Sequence, residues 1–253
     1  MTRAIGIDIG GTGIKGAIVD LDAGELLSER VKHATPEGGA PDDIVSTVQL
    51  IVDELVNDHD GADVAHIGVC FPAIVRNGRT MSAANVSDDW IGLDADARFT
   101  EALGRDIHFV NDADAAGFAE AVYGAARDRR GLVIMTTLGT GIGSALIYDG
   151  VLIPNSELGH LEIKGDDAEH WAANSARERE QLSFEKWAKR LTRYYQHLEF
   201  LFSPDLFVIG GGVSKQHDEF LHLIDVSTPI VPAELRNNAG IMGAAALAAR
   251  HHP

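Results

Sequence analysis

The first stretch able to do chemistry is "AIGIDIGGTGIKGAIVD", residues 4–20. Its apolar run carries Asp8, ends in Gly10, Gly11, Thr12 and Gly13, and is followed by Lys15. Glycine lets a backbone approach a ligand closely, and successive N–H groups in such a turn form an anion-binding concavity. Lys15 adds a point charge, and Asp8 a carboxylate suited to phosphate-bound Mg²⁺. Residues 11–16 also have the G-x-G-x-x-G spacing of a dinucleotide fingerprint. That fingerprint needs a helix after the turn and an acidic residue about 20 positions further on. Here "AIVDLD" favours strand, and Glu25 arrives too soon. A Walker loop fails too, because no Ser or Thr follows Lys15. What remains is a strand–turn–strand hairpin that either holds phosphate or only turns the chain.

The chain then starts over. "GLVIMTTLGTGIGSALIYDG", residues 131–150, repeats an apolar strand, a Gly-Thr-Gly-Ile turn at Gly139, Thr140 and Gly141, and a second apolar strand, 128 residues after the first copy. A duplicated lobe explains this, and paired copies strengthen the phosphate reading. Asn111 and Asp112 end the strand "DIHFV" and open a helix. There a carboxylate serves as a base, or either residue serves as an N-cap. Asp114, in the first helical turn, complements the helix dipole. Glu157 and His160 in "PNSELGHLE" pair an acceptor with an imidazole that donates or accepts. E-x-x-H also occurs at Glu219 and His222, as in a di-iron site, but Pro154 and Gly159 oppose the regular helix such a site needs. Glu219 and His222 read as a solvated helix face.

Elements to position these groups follow from pattern. Residues 3–9 form a strand, and two more strands follow as a meander through a turn at 22–24. Ile44, Val48, Ile51, Val52 and Leu55 have helical spacing after Pro41. "VAHIGVCFP" is a strand, 73–93 a polar loop, 94–103 a helix, "DIHFVND" a strand and "ADAAGFAEAVYGAA" a helix. The second half adds a long helix over 182–202, the strand "LFVIGGG" and an Ala-rich terminal helix. The pattern is that of an α/β protein.

The 253 residues suffice for two modest lobes, and a formal charge of −17 argues against nucleic-acid binding. The single Cys70 excludes internal disulfides and thiolate metal clusters, and its apolar setting reads as a buried thiol. No signal peptide and no membrane-spanning run is apparent, so a cytoplasmic protein is expected. Against the acidic background, residues 177–193 hold six basic and three acidic side chains, and Arg127, Arg129 and Arg130 form a second cluster. A long polyanion would gain from such a track, and Arg127, Lys186, Lys189, Arg190 and Arg193 are its candidates. Charge runs are otherwise solvated faces.

"IDIGGTGIKGAIVD", "FVNDADAAG", "TLGTGIGSALIYDG", "ELGH" and "VIGGGVS" occur in the order of the ROK (repressor, open reading frame, kinase) family of sugar kinases. The chain resembles that family over nearly its whole length. The resemblance implies two ribonuclease-H-like lobes of the actin, hexokinase and Hsp70 ATPase superfamily. The lobes would be residues 1–112 and 113–237, with the helix over 238–253 returning to the first. A sugar and a phosphoryl donor would meet in the cleft. It implies Asp112 as catalytic base, Asn85, Asn111, Glu157 and His160 on the sugar, and Gly139–Gly141 as the second phosphate loop. Gly210, Gly211 and Gly212 would turn near the adenosine of a nucleotide donor, and Mg²⁺ would accompany the donor near Asp8. Many members follow E-x-G-H with a cysteine-rich zinc motif. This chain has no cysteine there, so no zinc is expected, and Glu162 is the candidate for the family's further sugar-binding glutamate.

The compact length and "NVSDDWIG" resemble members that phosphorylate glucose from polyphosphate, ATP or both, and a homodimer is implied. A kinase for fructose, mannose or N-acylmannosamine using ATP is the near alternative. A sugar-responsive regulator is the distant one. Such regulators carry an N-terminal DNA-binding domain, whereas here the first phosphate strand is reached by residue 5.

Overall fold

β-Branched runs flanking the first glycine cluster pair as an antiparallel hairpin in the computed structural model, which describes residues 2–58, 64–83 and 86–251. β1 (Arg3–Ile9) lies against β2 (Ile14–Asp20), with Ile9 opposite Ile14 and Asp8 opposite Lys15. The chain continues through β3 (Glu25–Leu26), β4 (Val31–His33), α1 (Pro41–Asp58) and β5 (His66–Phe71). A small hairpin, β6 (Val75–Arg76) and β7 (Arg79–Thr80), then precedes α2 (Ala95–Leu103), β8 (Ile107–Asn111) and α3 (Asp112–Tyr123). The main sheet has the order β3-β2-β1-β5-β8, with β4 also on β2. Strand alternation sends Ile5, Ile7 and Ile9 into a core with Val48, Ile51 and Leu55 of α1, closed by Phe71, Trp90, Phe99 and Phe109.

The second half builds the same sheet again. β9 (Leu132–Leu138) and β10 (Ile142–Tyr148) form its hairpin and β11 (Val151–Ile153) its edge. α4 (Ala168–Ala172), α5 (Asn174–Arg179) and α6 (Phe184–Phe202) follow, then β12 (Leu206–Gly210) and β13 (Ile230–Pro232). The order is β11-β10-β9-β12-β13. In both sheets an antiparallel hairpin is continued from its first strand by two parallel strands. Trp187, Leu191, Tyr194, Tyr195 and Leu198 of α6 cover this sheet with Ile134, Phe207 and Phe220.

The Ala-rich segment forms α7 (Ala239–His251), which lies on β1, β5 and β8. Small residues make that approach feasible. A Cβ on Gly6 or Gly68 would come within 1.9 Å of the Ile241 or Ala244 carbonyl oxygen. The chain thus divides into two compact units, Met1–Ala119 with Asn238–Pro253, and Glu120–Asn237. The division falls inside α3, whose first turns pack on α7. A Cβ on Gly243 would lie 1.8 Å from the Ala115 carbonyl oxygen.

Other differences from the pattern are local. The 73–93 loop contains the β6–β7 hairpin and a 3₁₀ turn over Asp88–Trp90, elements too short to show periodicity. Glu219 and His222 lie on 3₁₀ segments (Gly212–Glu219 and Leu221–Leu223); they are exposed, but not on a helix face. Among the described residues no helix is long and apolar enough to cross a membrane.

Candidate active site

In the first unit the chemistry-bearing side chains stand where β1, β5 and β8 end. The turn between β1 and β2 is tight, with the Gly10 N–H donating to the Gly13 carbonyl at 3.1 Å. The Thr35 hydroxyl in turn donates to the Gly10 carbonyl. Gly11 and Thr12 are left exposed. Gly11 opens on a pocket of about 260 Å³ shared with Thr35 and the 36–39 segment. A strand follows the turn, which removes the dinucleotide reading. Asp8, one-fifth exposed, points one carboxylate oxygen to the Lys15 ammonium at 3.5 Å and receives the Cys70 thiol on the other at 3.8 Å. Cys70 is fully buried. Burial, and after it the charges of Asp8 and Asp112, push its thiol well above the ordinary range.

β8 delivers Asn111 and Asp112. Asn111 is the N-cap of α3, since its Oδ1 accepts from the Asp114 N–H at 2.9 Å. Its Nδ2 donates to the Ala73 carbonyl at 2.9 Å, so the residue is buried and fixed at both ends. Capping by Asn111 leaves Asp112 half-buried as the first helical residue, its Oδ1 accepting from the Ala113 N–H at 2.8 Å. Asp114 is buried in the same turn. Asn85 lies outside the described residues.

In the second unit three motifs converge where β9 ends. The Gly139 N–H donates to the Gly141 carbonyl at 3.0 Å, closing a three-residue turn between Leu138 and Ile142 where the first turn has four residues. Ser175 of α5 holds that turn from outside. Its N–H donates to the Gly139 carbonyl at 3.0 Å, and its hydroxyl to the Thr140 carbonyl at 2.5 Å. The 210–212 turn rests on the same strand end. Gly211 has φ of +84°, and a Cβ there would lie 2.5 Å from the Leu138 carbonyl oxygen. The E-x-G-H segment is a 3₁₀ turn seated on β10, because the Ser144 hydroxyl accepts from the Leu158 N–H at 2.9 Å and donates to the Ser156 carbonyl at 2.7 Å. The segment is a single 3₁₀ turn and not an α-helix, so Glu157 and His160 do not share the regular helix face that a di-iron pair needs.

Glu169 of α4 joins these motifs. Its Oε2 accepts from the Ile142 N–H at 3.1 Å, and a Cβ on Gly141 or Gly159 would meet that oxygen at 2.5 or 3.2 Å. Its Oε1 stands 3.9 Å from His160 Nδ1, which is itself 3.1 Å from Asp167. Burial raises the Glu157 carboxyl above its ordinary value, and the Glu169 charge adds to this while His160 opposes it. Glu162 is exposed and forms an isolated antiparallel bridge with Asp167. The sequence reading missed Glu169. A five-residue helix has no readable period, and the alanines of "DAEHWAA" were its only sign of burial.

Of the basic candidates, Arg190 donates to the Trp171 carbonyl at 2.8 Å and to Glu180 at 3.1 Å. Arg193 lies over the Trp171 ring, while Lys186 and Lys189 are exposed. Arg127 precedes β9, whose far end carries Gly139. A seven-residue strand spans about 23 Å, so Arg127 is remote from the 139–141 turn.

Two sheets of one topology, each with a glycine hairpin at the working end, and an aspartate opening a helix define the actin, hexokinase and Hsp70 ATPase superfamily. Within it, the chain belongs to the ROK family, whose model matches residues 4–172. It is 46% identical over 244 residues to the polyphosphate glucokinase of Mycobacterium tuberculosis, covering 96% of this chain and 90% of that one. The crystal structure of the inorganic polyphosphate/ATP-glucomannokinase of Arthrobacter sp. strain KM superposes with a TM-score of 0.94 at 53% identity, over 100% of both chains. A ROK family glucokinase from Streptomyces griseus, in complex with glucose and AMPPNP, gives a TM-score of 0.83 at 26% identity, over 98% of this chain and 99% of that one.

Proposed function

We propose that the chain transfers a phosphoryl group from inorganic polyphosphate or ATP to the 6-hydroxyl of glucose. The observation carrying this reading is that one carboxylate, Glu169, ties a glycine phosphate turn to the Glu157–His160 turn. Similarity over nearly the full length to proteins named for polyphosphate and glucose supports it. Asp112 takes the hydroxyl proton as the sugar oxygen bonds to the terminal phosphorus and that phosphorus leaves its bridging oxygen. Asn111 fixes Asp112 through its cap and, with Asn85, Glu157 and His160, contacts the sugar. Asp167 orients the His160 ring, leaving Nε2 for a sugar hydroxyl. Glu169 adds a carboxylate to that set.

Thr12, Gly10, Gly11 and Gly13 in one turn, and Gly139, Thr140 and Gly141 in the other, offer backbone N–H groups to phosphates, with Lys15 as a point charge. Gly210, Gly211 and Gly212 flank the adenosine when ATP is the donor. Asp8 fits Mg²⁺, being a partly exposed hard-oxygen ligand, and Mg²⁺ takes one or two carboxylates with the phosphates themselves. Bound there, the ion would neutralise phosphate charge. Among the described residues no group of three or more His, Cys, Asp or Glu stands together as a metal site. Assembly as a homodimer in the cytoplasm belongs to the same reading, and sedimentation tests the assembly.

Mannose is the second acceptor to consider, because the Arthrobacter relative is named a glucomannokinase. The test is a product assay with glucose, mannose, fructose and N-acetylmannosamine, each with ATP and with polyphosphate. Glucose 6-phosphate from at least one donor is expected. No glucose-dependent turnover with either would overturn the reading.

A further inference from the structure

The second phosphate turn is the start of a continuous surface made by α4, α5 and α6. Glu169 on α4 holds the Ile142 N–H, and Ser175 on α5 holds the Gly139 and Thr140 carbonyls. Two residues beyond Glu169, Trp171 lies beneath Arg193 of α6 at 5.6 Å, and its carbonyl receives Arg190. The turn and the N-terminal half of α6 are therefore linked through one five-residue helix.

Most charges around this surface are spent on each other. Glu180 is bonded by Arg190 and approached by Arg179, and Glu178 lies 3.5 Å from Arg177, which sits over the Phe184 ring. Asp166 holds His170 at 2.8 Å, and Asp167 holds His160. Three cations remain without a carboxylate: Lys186 and Lys189, which no described residue pairs, and Arg193, which has only the indole face. Their spacing of three and four residues puts them on one face of α6, opposite the buried Trp187, Leu191, Tyr194 and Leu198. The run extends about 10 Å along the helix. Glu185 is the one acid beside it in the first turn. In a chain of charge −17, a stripe of uncompensated cations leading to a phosphate turn is a site for a linear polyanion.

We infer that Lys186, Lys189 and Arg193 form a secondary subsite that holds the distal phosphates of a long inorganic polyphosphate while its end lies in the Gly139–Gly141 turn. The inference rests on the kinase reading above. It narrows the sequence-level track: Arg190 acts as a strut between α4 and α6, and Arg127 is not part of the stripe. On this inference ATP, with only three phosphates, would not engage the stripe.

The test compares Lys186→Glu/Lys189→Glu and the milder Lys186→Gln/Lys189→Gln with the parent protein. KM is measured for long-chain polyphosphate, for tripolyphosphate and for ATP at saturating glucose, over a salt series. The expected result is a rise in KM for the long chain of about tenfold or more and a flatter salt dependence, as loss of distributed phosphate contacts gives. KM for ATP and tripolyphosphate should stay within roughly twofold, since exposed substitutions away from a site do little. An unchanged KM for long chains overturns the subsite. So does an equal rise for all three donors, which would mean damage to the turn itself. A parent protein that phosphorylates glucose from ATP but not from polyphosphate overturns the subsite and leaves the kinase reading standing. A parent inactive with every donor overturns both. Retained melting temperature in the Gln pair shows that the readout concerns binding and not folding.

Discussion

The two glycine turns close hairpins of the same topology, over four residues in the first and three in the second, and differ further in what stands around them. Residues 10–13 lie between a carboxylate and an ammonium, Asp8 and Lys15, with a single hydroxyl from Thr35 bracing the loop. Residues 139–141 carry no charged neighbour on their own strands, but Glu169 and Ser175 hold them from two further helices. A duplicated hairpin thus specialises through its support: a carboxylate and an ammonium on the flanking strands in the first unit, and in the second a carboxylate that reaches both the strand after the turn and the His160 ring.

The largest expected effect breaks the first unit's side of that comparison. Asp112→Asn keeps the size of the side chain and the cap by Asn111, but it cannot take a proton. The kcat should fall by about 10²–10⁴-fold with glucose affinity retained. Near-normal kcat in a steady-state assay would remove Asp112 from the base role.

Equivalent substitutions in the two turns sharpen the contrast. A Cβ on Gly141 would press on the Glu169 oxygen at 2.5 Å, whereas on Gly13 it would meet the movable Lys32 stem at 3.1 Å. Gly141→Ala should detach Glu169 from the Ile142 N–H, a loss of about 1–3 kcal/mol, and lower kcat/KM for glucose by about tenfold or more. Gly13→Ala should stay within roughly threefold, since its neighbour can give way. Equal losses at both sites would show that the support around the turns is irrelevant. Next in size, Lys15→Met should raise the donor KM by about tenfold, the scale of one charged contact, and leave glucose KM nearly unchanged.

Much of this architecture is legible from residues. Isoleucine and valine around glycine dictated both hairpins, and "AIVDLD" after Gly16 was enough to exclude a dinucleotide fold. Asp112 could be placed because a strand end and a helix start coincide there. Glu169 could not, because it meets the turn from 27 residues away on a helix too short for periodicity. The pairing of Arg190 with Glu180 likewise depends on how α5 turns into α6, which a charge count cannot register.

The smallest effect probes the second unit's joining role through pH. Glu157 sits half-buried with Glu169 near it, and its carboxyl is raised above the ordinary 4.5 chiefly by burial. The folded protein therefore holds this proton more tightly than the unfolded chain does. The resulting stabilisation is full below the unfolded value and is lost as pH rises through the folded one, so at neutral pH the ionised Glu157 is a cost to folding. Glu157→Gln removes that charge at similar shape. Its melting temperature should exceed that of the parent at pH 7 and converge with it as pH falls toward 4, a modest difference because the group is partly solvated. Over the same range the variant should bind glucose more weakly, since an amide offers one acceptor where a carboxylate offers two. A variant less stable than the parent at pH 7 would mean that a further contact holds the ionised form of Glu157. The second turn would then owe its rigidity to Glu157 as well as to Glu169.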